Sequence, residues 1–412
     1  MSKINLKIIA VAVVVILVVA AAGFFFLDNR KRTEEIDFIS GLESVGSGIF
    51  YREGRTIDSP DDLFTIKAPG DIIYHPEAWN KLIFGTPSVV SIQHIQVKTI
   101  VEIYLNDPSK TDKAKELKFV PYVDGQTLED GKVYYITNMG GSQMREDKKI
   151  DAGITGLPRL TNLVASDTNY SIGALTNDLF PHQTCCAVSV NKSFGEEHPD
   201  IVIRVLWAIK EATNWLNNAL EKGKTNPNDV DYLKALEVGL RVAGSTLYTA
   251  DDISKSIVDV EYSWGDSNPN DPLRTLKNDI AFITEDLEKI KAVTIPVSDL
   301  GFKNTLEYAE KLVNDEFLKE AIKGKPEFKD TFAVRFALIG GDIHQLPVHL
   351  AYTLLPGQTQ TFYEQVGIDF SYNSVSIGNV VVAALKANEA DFGVTGQPPI
   401  IVDSINNELI KA

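Results

Sequence analysis

The chain is poor in cysteine and in basic residues. It has two cysteines in 412 residues, Cys185 and Cys186, and they are adjacent. Adjacent thiols close only a strained ring, so a structural disulfide framework is excluded. His182 precedes the pair, but a further ligand is missing nearby, and neighbouring side chains on a strand point to opposite faces. The expectation is two small buried strand residues and no metal centre. Lysine and arginine number 40 against 56 aspartates and glutamates, a net charge of −16. That balance supplies no basic stripe and excludes a nucleic-acid partner; it reads as solubility. The Gly-x-Ser-x-Gly elbow and the His-Glu-x-x-His zinc signature are both absent. Gly46-Ser47-Gly48 is followed by Ile49-Phe50-Tyr51, which reads as strand, so the dinucleotide fingerprint fails and no cofactor is implied. Asp266, Asn268 and Asn270 alternate as in a calcium loop, but the twelfth position is Lys277, which leaves a polar turn.

Ile8 to Leu27 is an uncharged apolar run of 20 residues, about one bilayer hydrocarbon thickness. Lys3 and Lys7 flank it on one side, and Arg30, Lys31 and Arg32 on the other. A cleaved signal would have a shorter apolar region. Cleavage at Ala20-Ala21-Ala22 would expose Gly23-Phe24-Phe25-Phe26-Leu27. The run therefore reads as an uncleaved anchor, with residues 28–35 as a charged linker and everything folded lying after it.

The remaining length exceeds one small core and implies two lobes. Strand-like segments alternate with helical ones. Ile36 to Tyr51 reads as strand at both apolar ends with a glycine-rich middle. Ser59 caps a short helix opened by Pro60. Residues 64–80 look like an insertion before the strand Leu82-Ile83-Phe84, and Ser88 to His94 opens a helix. Lys132–Thr137, Asp151–Leu157, Cys185–Val190 and Asp391–Thr395 are further strands. Helices are expected from His198, over Tyr232–Leu247 and Asp271–Lys291, and from Phe302 to near Ile322. Asn169 and Asn191 begin glycosylation-acceptor triplets. Alternation of this kind indicates α/β lobes with largely parallel sheets, in which ligands bind beyond the carboxyl ends of strands.

The segment Thr331 to Ala412 carries Ile343-His344-Gln345-Leu346-Pro347 and Gly393-Val394-Thr395-Gly396-Gln397-Pro398-Pro399. These runs resemble the opening of the first lobe in extracytoplasmic solute-binding proteins of ABC importers, of the type that takes sulfonates, nitrate or thiamine precursors. Ile36 to Asp62 resembles the end of that lobe. Leu82 to Phe180, with Gly85-Thr86-Pro87, resembles the second lobe, and Pro181 to Asp200 the crossing strand. The parts stand in rotated order, as in a circular permutation. The resemblance implies a two-lobed clamshell: an anchor over 1–32, lobe I from 33–62 plus 181–412, and lobe II over 63–180. It places ligand contacts at Gly340, Asp342, His344 and Gln345 after the first strand and at Gly396 and Gln397 after the third. Ser44, Ser47 and Gly48 border the crossing strand, and Gly156, Leu157 and Pro158 face them from lobe II. Ser88 and Ser91 lie at a helix start, where free N–H groups favour an anion.

The function implied is a membrane-anchored, extracytoplasmic binding protein that makes and breaks no bond. It would hand a small-molecule ligand, anionic or heterocyclic, to an ABC permease and its ATPase. Two other classes stand beside it. A fungal thiamine-pyrimidine-synthase-like enzyme would use a cysteine-rich motif, of which Cys185-Cys186 is a partial echo. A ligand-sensing ectodomain would need a second chain for its output. Because the apolar run is self-contained, residues 33–412 alone are expected to express as a soluble folded domain; recovery only as aggregate would count against the anchor.

Overall fold

Ile36–Val45 (β1) is buried along its whole length and Ser47–Arg52 (β2) along all but its last residue, yet the two strands belong to different sheets. The computed structural model describes residues 35–139, 141–166, 169–265, 267–268 and 271–412. The apolar run 8–27, its expected anchor and the linker up to residue 34 lie outside the described residues, as do Asp266 and Asn270 of the polar turn. Among the described residues no helix is long and apolar enough to cross a membrane.

The strands that follow are Phe64–Ala68 (β3), Asp71–Tyr74 (β4), Ile83–Gly85 (β5), Lys118–Pro121 (β6), Lys132–Ile136 (β7), Ala152–Gly156 (β8), Tyr170–Leu175 (β9) and Thr184–Asn191 (β10). Then come Val260–Gly265 (β11), Ser267–Asn268 (β12), Asp271–Thr275 (β13), Phe332–Ile339 (β14), Ile368–Val375 (β15) and Phe392–Gly396 (β16). One six-stranded sheet has the order β11-β1-β10-β16-β14-β15, and the other β6-β7-β5-β8-β2-β9. The expected insertion at 64–80 is a β3–β4 hairpin and a short helix, Pro76–Trp79.

Neither sheet is as parallel as the sequence suggested. In the first sheet β15-β14-β16 are parallel, but β10 pairs antiparallel with both β16 and β1, and β1 with β11. In the second, β6, β7, β5 and β8 are parallel, while β2 is antiparallel to β8 and β9. The antiparallel part of each sheet contains a strand that enters from the other. β1 continues into β2 through Val45 and Gly46, both at positive φ; β9 leads through 176–183 into β10. Residues 33–62, grouped above with one lobe, therefore divide between the sheets at Gly46.

Residues 332–412 do not form a separate unit. β16 pairs with β10, and β10 with β1, so the last and the first of the described strands share a sheet. The register runs Val188–Val394 on one side and Val188–Ser40 on the other. Ile36 and Leu409 line one small cavity.

Two apolar cores form, and the first, centred on the first sheet, also takes in Phe50 of β2 and Tyr170 of β9 from the second sheet. In the first, Phe336 stacks on Phe392 with centroids 5.0 Å apart and planes 14° from parallel. The helix Pro199–Thr225 buries Ile201, Val205, Ala208, Ala212 and Leu216, the three- and four-residue stripe of its sequence. In the second, Trp79 stacks on Phe84 at 5.2 Å and donates its indole N–H to the Leu63 carbonyl. Two helix expectations need correction. Over 271–291 the helix begins only at Leu276, because Asp271–Thr275 pairs with β12 and Pro272 biases Asp271 away from helical backbone. The segment reaching Ile322 is two helices, Thr305–Leu312 and Glu316–Ala321, interrupted where the Asn314 N–H is drawn to the Phe38 carbonyl. Asn191 is buried and its side chain caps the helix Lys192–Glu197, which removes it as a glycosylation acceptor.

Truncating Phe336 to alanine should leave a void beside Phe392 and lower the unfolding free energy by about 3–5 kcal/mol. Urea denaturation measures this; a loss below about 1 kcal/mol would mean that the stack does not carry the core of the first sheet.

Candidate functional site

Strand ends and helix starts from both sheets meet at a solvent-open cavity of about 690 Å3. The second sheet contributes Ser88 and Ser91, before the helix Ile92–Glu102, and Thr155, Gly156 and Leu157 at the end of β8. The first contributes Gly341, Asp342 and His344 after β14, Ser376 to Asn379 after β15, and Pro399 in the helix after β16. The wall is thus made by loops at the carboxyl ends of parallel strands, as the doubly wound pattern requires.

Asp342, His344 and Gly46 form a triad in which His344 and Gly46 are buried and Asp342 faces the cavity. Asp342 accepts from the His344 backbone N–H at 3.1 Å, and its carboxylate is 2.5 Å from Nδ1 of the ring. Nε2 on the opposite side donates to the Gly46 carbonyl at 2.8 Å. Burial alone would pull the imidazole down. The Asp342 and Glu43 carboxylates and the Gly46 carbonyl outweigh it and raise His344 from 6.5 to about 10. Burial raises Asp342, but the His344 charge and then Arg159 outweigh that and hold it below the usual carboxylate value. Gln345 completes the support, donating to Asp342 at 3.1 Å and accepting from the Ile339 N–H. A Cβ on Gly46 would stand 2.4 Å from His344 Nε2, and φ there is +82°, so only glycine fits.

Two helix N-termini face the cavity. Ser91 caps Ile92–Glu102 by accepting from the His94 N–H, and its own hydroxyl donates to the Ser88 carbonyl at 2.8 Å. No side chain caps Gly378–Lys386, whose N-cap is Ile377. Its first residues therefore offer unsatisfied N–H groups and the positive end of the helix dipole to the cavity. Arg159 adds a cationic side chain, 3.8 Å from the Cβ position of Gly341. Gln93 reaches in from the helix and donates to Ser47 Oγ at 3.1 Å.

Of the residues expected from the sequence, Ser88, Ser91, Gly156, Leu157, Asp342 and His344 line this cavity. Ser47 stands behind Gln93, and Gly340 lines a smaller adjoining cavity with Arg241, His349 and Tyr352. The rest are structural neighbours. Ser44 is buried in the sheet opposite Thr184 and Glu261. Gly48 is packed against Leu160 and the Ala174 carbonyl. Gly396 caps the helix Gln397–Asn406, and Gln397 is buried and donates to the Thr184 carbonyl. Pro158 follows Leu157 and accepts from the Asn162 N–H as the next helix opens. Sequence reasoning missed Arg159, Gln93 and Ser376 to Asn379. The last group obeys the same strand–loop–helix rule used for the residues it found, after β15, the one of the three parallel first-sheet strands whose loop was not nominated.

One further expectation fails. The thiols of Cys185 and Cys186 do not diverge; their sulfurs lie 4.0 Å apart, and both residues are buried. β1 pairs Glu43 with Cys186 and Ser44 with Thr184, so Cys185 is the extra residue of a bulge, and a bulge re-aims its side chain.

No protein-family model and no curated protein matches the sequence. Among the solved structures that are similar at low identity are three binding proteins. The ligand-binding component of an ABC-type import system from Staphylococcus aureus, with zinc bound, is 12% identical over 73% of this chain and 78% of its own, with a TM-score of 0.40. The periplasmic nitrate-binding protein NrtA from Synechocystis PCC 6803 is 13% identical over 71% and 69%, TM-score 0.46. The periplasmic aliphatic sulphonate-binding protein SsuA from Escherichia coli is 11% identical over 66% and 73%, TM-score 0.38.

The raised value of His344 fixes a pH dependence. A folded-state value above the unfolded one gives stability that is fully present below 6.5 and is lost as pH rises through about 10. The unfolding free energy should therefore fall over that interval in the wild type and stay flatter in His344→Gln. Urea titrations at stepped pH measure the difference. Parallel curves for the two proteins would rule out the charged imidazole.

Proposed function

We propose that the chain is the solute-binding component of an ABC importer, anchored by its N-terminal apolar run with the folded part extracytoplasmic. The observation that carries the reading is the cavity, walled by both sheets at the points where two segments cross between them. A solute seated there touches residues of both sheets, so binding and closure are one event, and a permease recognises the closed form. In this reading the cavity captures and releases its solute, and no bond is made or broken. The C-terminal segment supplies the opening of one lobe in a permuted order; the shared sheet of β1, β10 and β16 and the approach of Ile36 to Leu409 support that order.

The ligand in this reading carries an anionic group. Two helix N-termini and Arg159 converge on the cavity, and Asp342 is neutralised by His344. The apolar Val90, Leu157, Ile339 and Ile377 take the remainder of the solute.

Unfolding the purified protein and weighing what is released identifies the solute. Added back, that solute should raise the melting temperature by mass action and compact the particle in small-angle scattering. Replacing Arg159 with methionine removes a charge-assisted contact worth about 1.5–3 kcal/mol, a loss of roughly tenfold or more in affinity. Tight binding with no compaction would place the ligand within one sheet's layer and defeat the clamshell reading.

A further inference from the structure

Behind the cavity wall the bulge in β10 turns two thiols toward one carboxylate. Glu43, Cys185 and Cys186 each offer one ligand atom, and these atoms lie within 4.8 Å of one another. All three residues are buried, Glu43 completely. One Glu43 oxygen accepts from the Cys186 backbone N–H at 2.9 Å. The other is buried and has no hydrogen-bond partner. A buried carboxylate oxygen without a partner is rare and calls for a ligand or a proton.

We infer that Glu43, Cys185 and Cys186 form a binding site for a borderline divalent cation of the zinc, cobalt or iron(II) kind, separate from the solute cavity. Two thiolates exclude the hard cations magnesium and calcium, which take oxygen ligands, and a carboxylate fits zinc or iron(II) better than copper(I). In a tetrahedral site with metal–sulfur bonds near 2.3 Å, the sulfurs stand about 3.8 Å apart. The observed separation is 4.0 Å, so little movement is needed. The oxygen left without a partner is the third ligand, and the fourth position is open. Binding exchanges two thiol protons for two metal–sulfur bonds, and both protons leave to solvent; nothing is oxidised or reduced.

The site belongs to the crossing region. Glu43 is on β1, three residues before Gly46, and the cysteines are on β10, the other strand reached by a crossing. A cation there ties the two crossing strands together at the root of the cavity, one layer behind His344.

The test is a titration of the full chain, thiols reduced, with Co2+ alone. One ion per chain should bind with a thiolate-to-cobalt charge-transfer band. Cys185→Ser and Cys186→Ser should each lose the two-thiolate band intensity. Glu43→Gln should keep the band at saturation but bind about tenfold or more weakly, since even an outer partner of a ligand contributes about 10–100-fold. No band in the wild type, a band that survives in the double cysteine variant, or undiminished affinity in Glu43→Gln would each overturn the site. Cadmium NMR of the wild type gives the same decision without a variant that might not fold. A resonance in the range of two-sulfur coordination supports the site, and an oxygen-only position or no bound cadmium refutes it.

Discussion

A buried hydrogen bond, from the charged imidazole of His344 to the carbonyl of Gly46, ties the first sheet to the strand that crosses into the second. It spans the point where one strand leaves the first sheet and the next enters the second. The imidazole is held charged by Asp342, and Asp342 is held in place by Gln345 and by the backbone of the same turn. Removing water from such a pair is costly unless every polar atom is answered, and here nearly every one is. Gly46 must be glycine because the ring occupies the space of any Cβ. The cavity takes its position from this clasp, since Asp342 and His344 form one wall and β2 leads to the other.

Local and global charge differ in sign. The chain carries a net charge of −16, yet the cavity is faced by helix N-termini and Arg159, with its one lining carboxylate paired. Net charge governs solubility and encounter at long range, whereas fixed dipoles a few ångströms from a ligand govern recognition, because salt screens the first far more than the second. An acidic protein built this way can admit an anion that its surface at large repels.

The alternation of elements was legible in the sequence because it rests on apolar periodicity and on helix starts such as Ser59 and Ser91, whereas the cap at Asn191 was not. The residues Gly340 to Gln345 were legible as a strand-end turn, and Asp342 and His344 of the cavity wall follow from it. What the sequence concealed depends on pairing across long separations. Whether β2 lies beside β1 or crosses to another sheet is decided by two positive-φ residues, and Val45 gives no local sign of being one. Arg159 was hidden because its role depends on β8 ending opposite Gly341. The direction of the Cys185 thiol was hidden for the same reason: strand alternation points it away from Cys186, and only the bulge against β1, some 140 residues earlier, turns it back.

The division of the strands between the sheets also orders the assembly of the molecule. β2 and β5 to β9, the whole of the second sheet, lie in one continuous stretch ending at Leu175. The first sheet needs β1 from the start of the folded chain, β10 from the middle and β14 to β16 from the end. During synthesis the second sheet closes early on contacts of modest separation, while β1, already emerged and buried along its whole length in the finished fold, has no strand neighbour until β10 and then β11 are made. The first described strand thus waits for the whole of the second sheet, and the interval in which it stands exposed is set by the time taken to make that sheet and the segment that returns to β10.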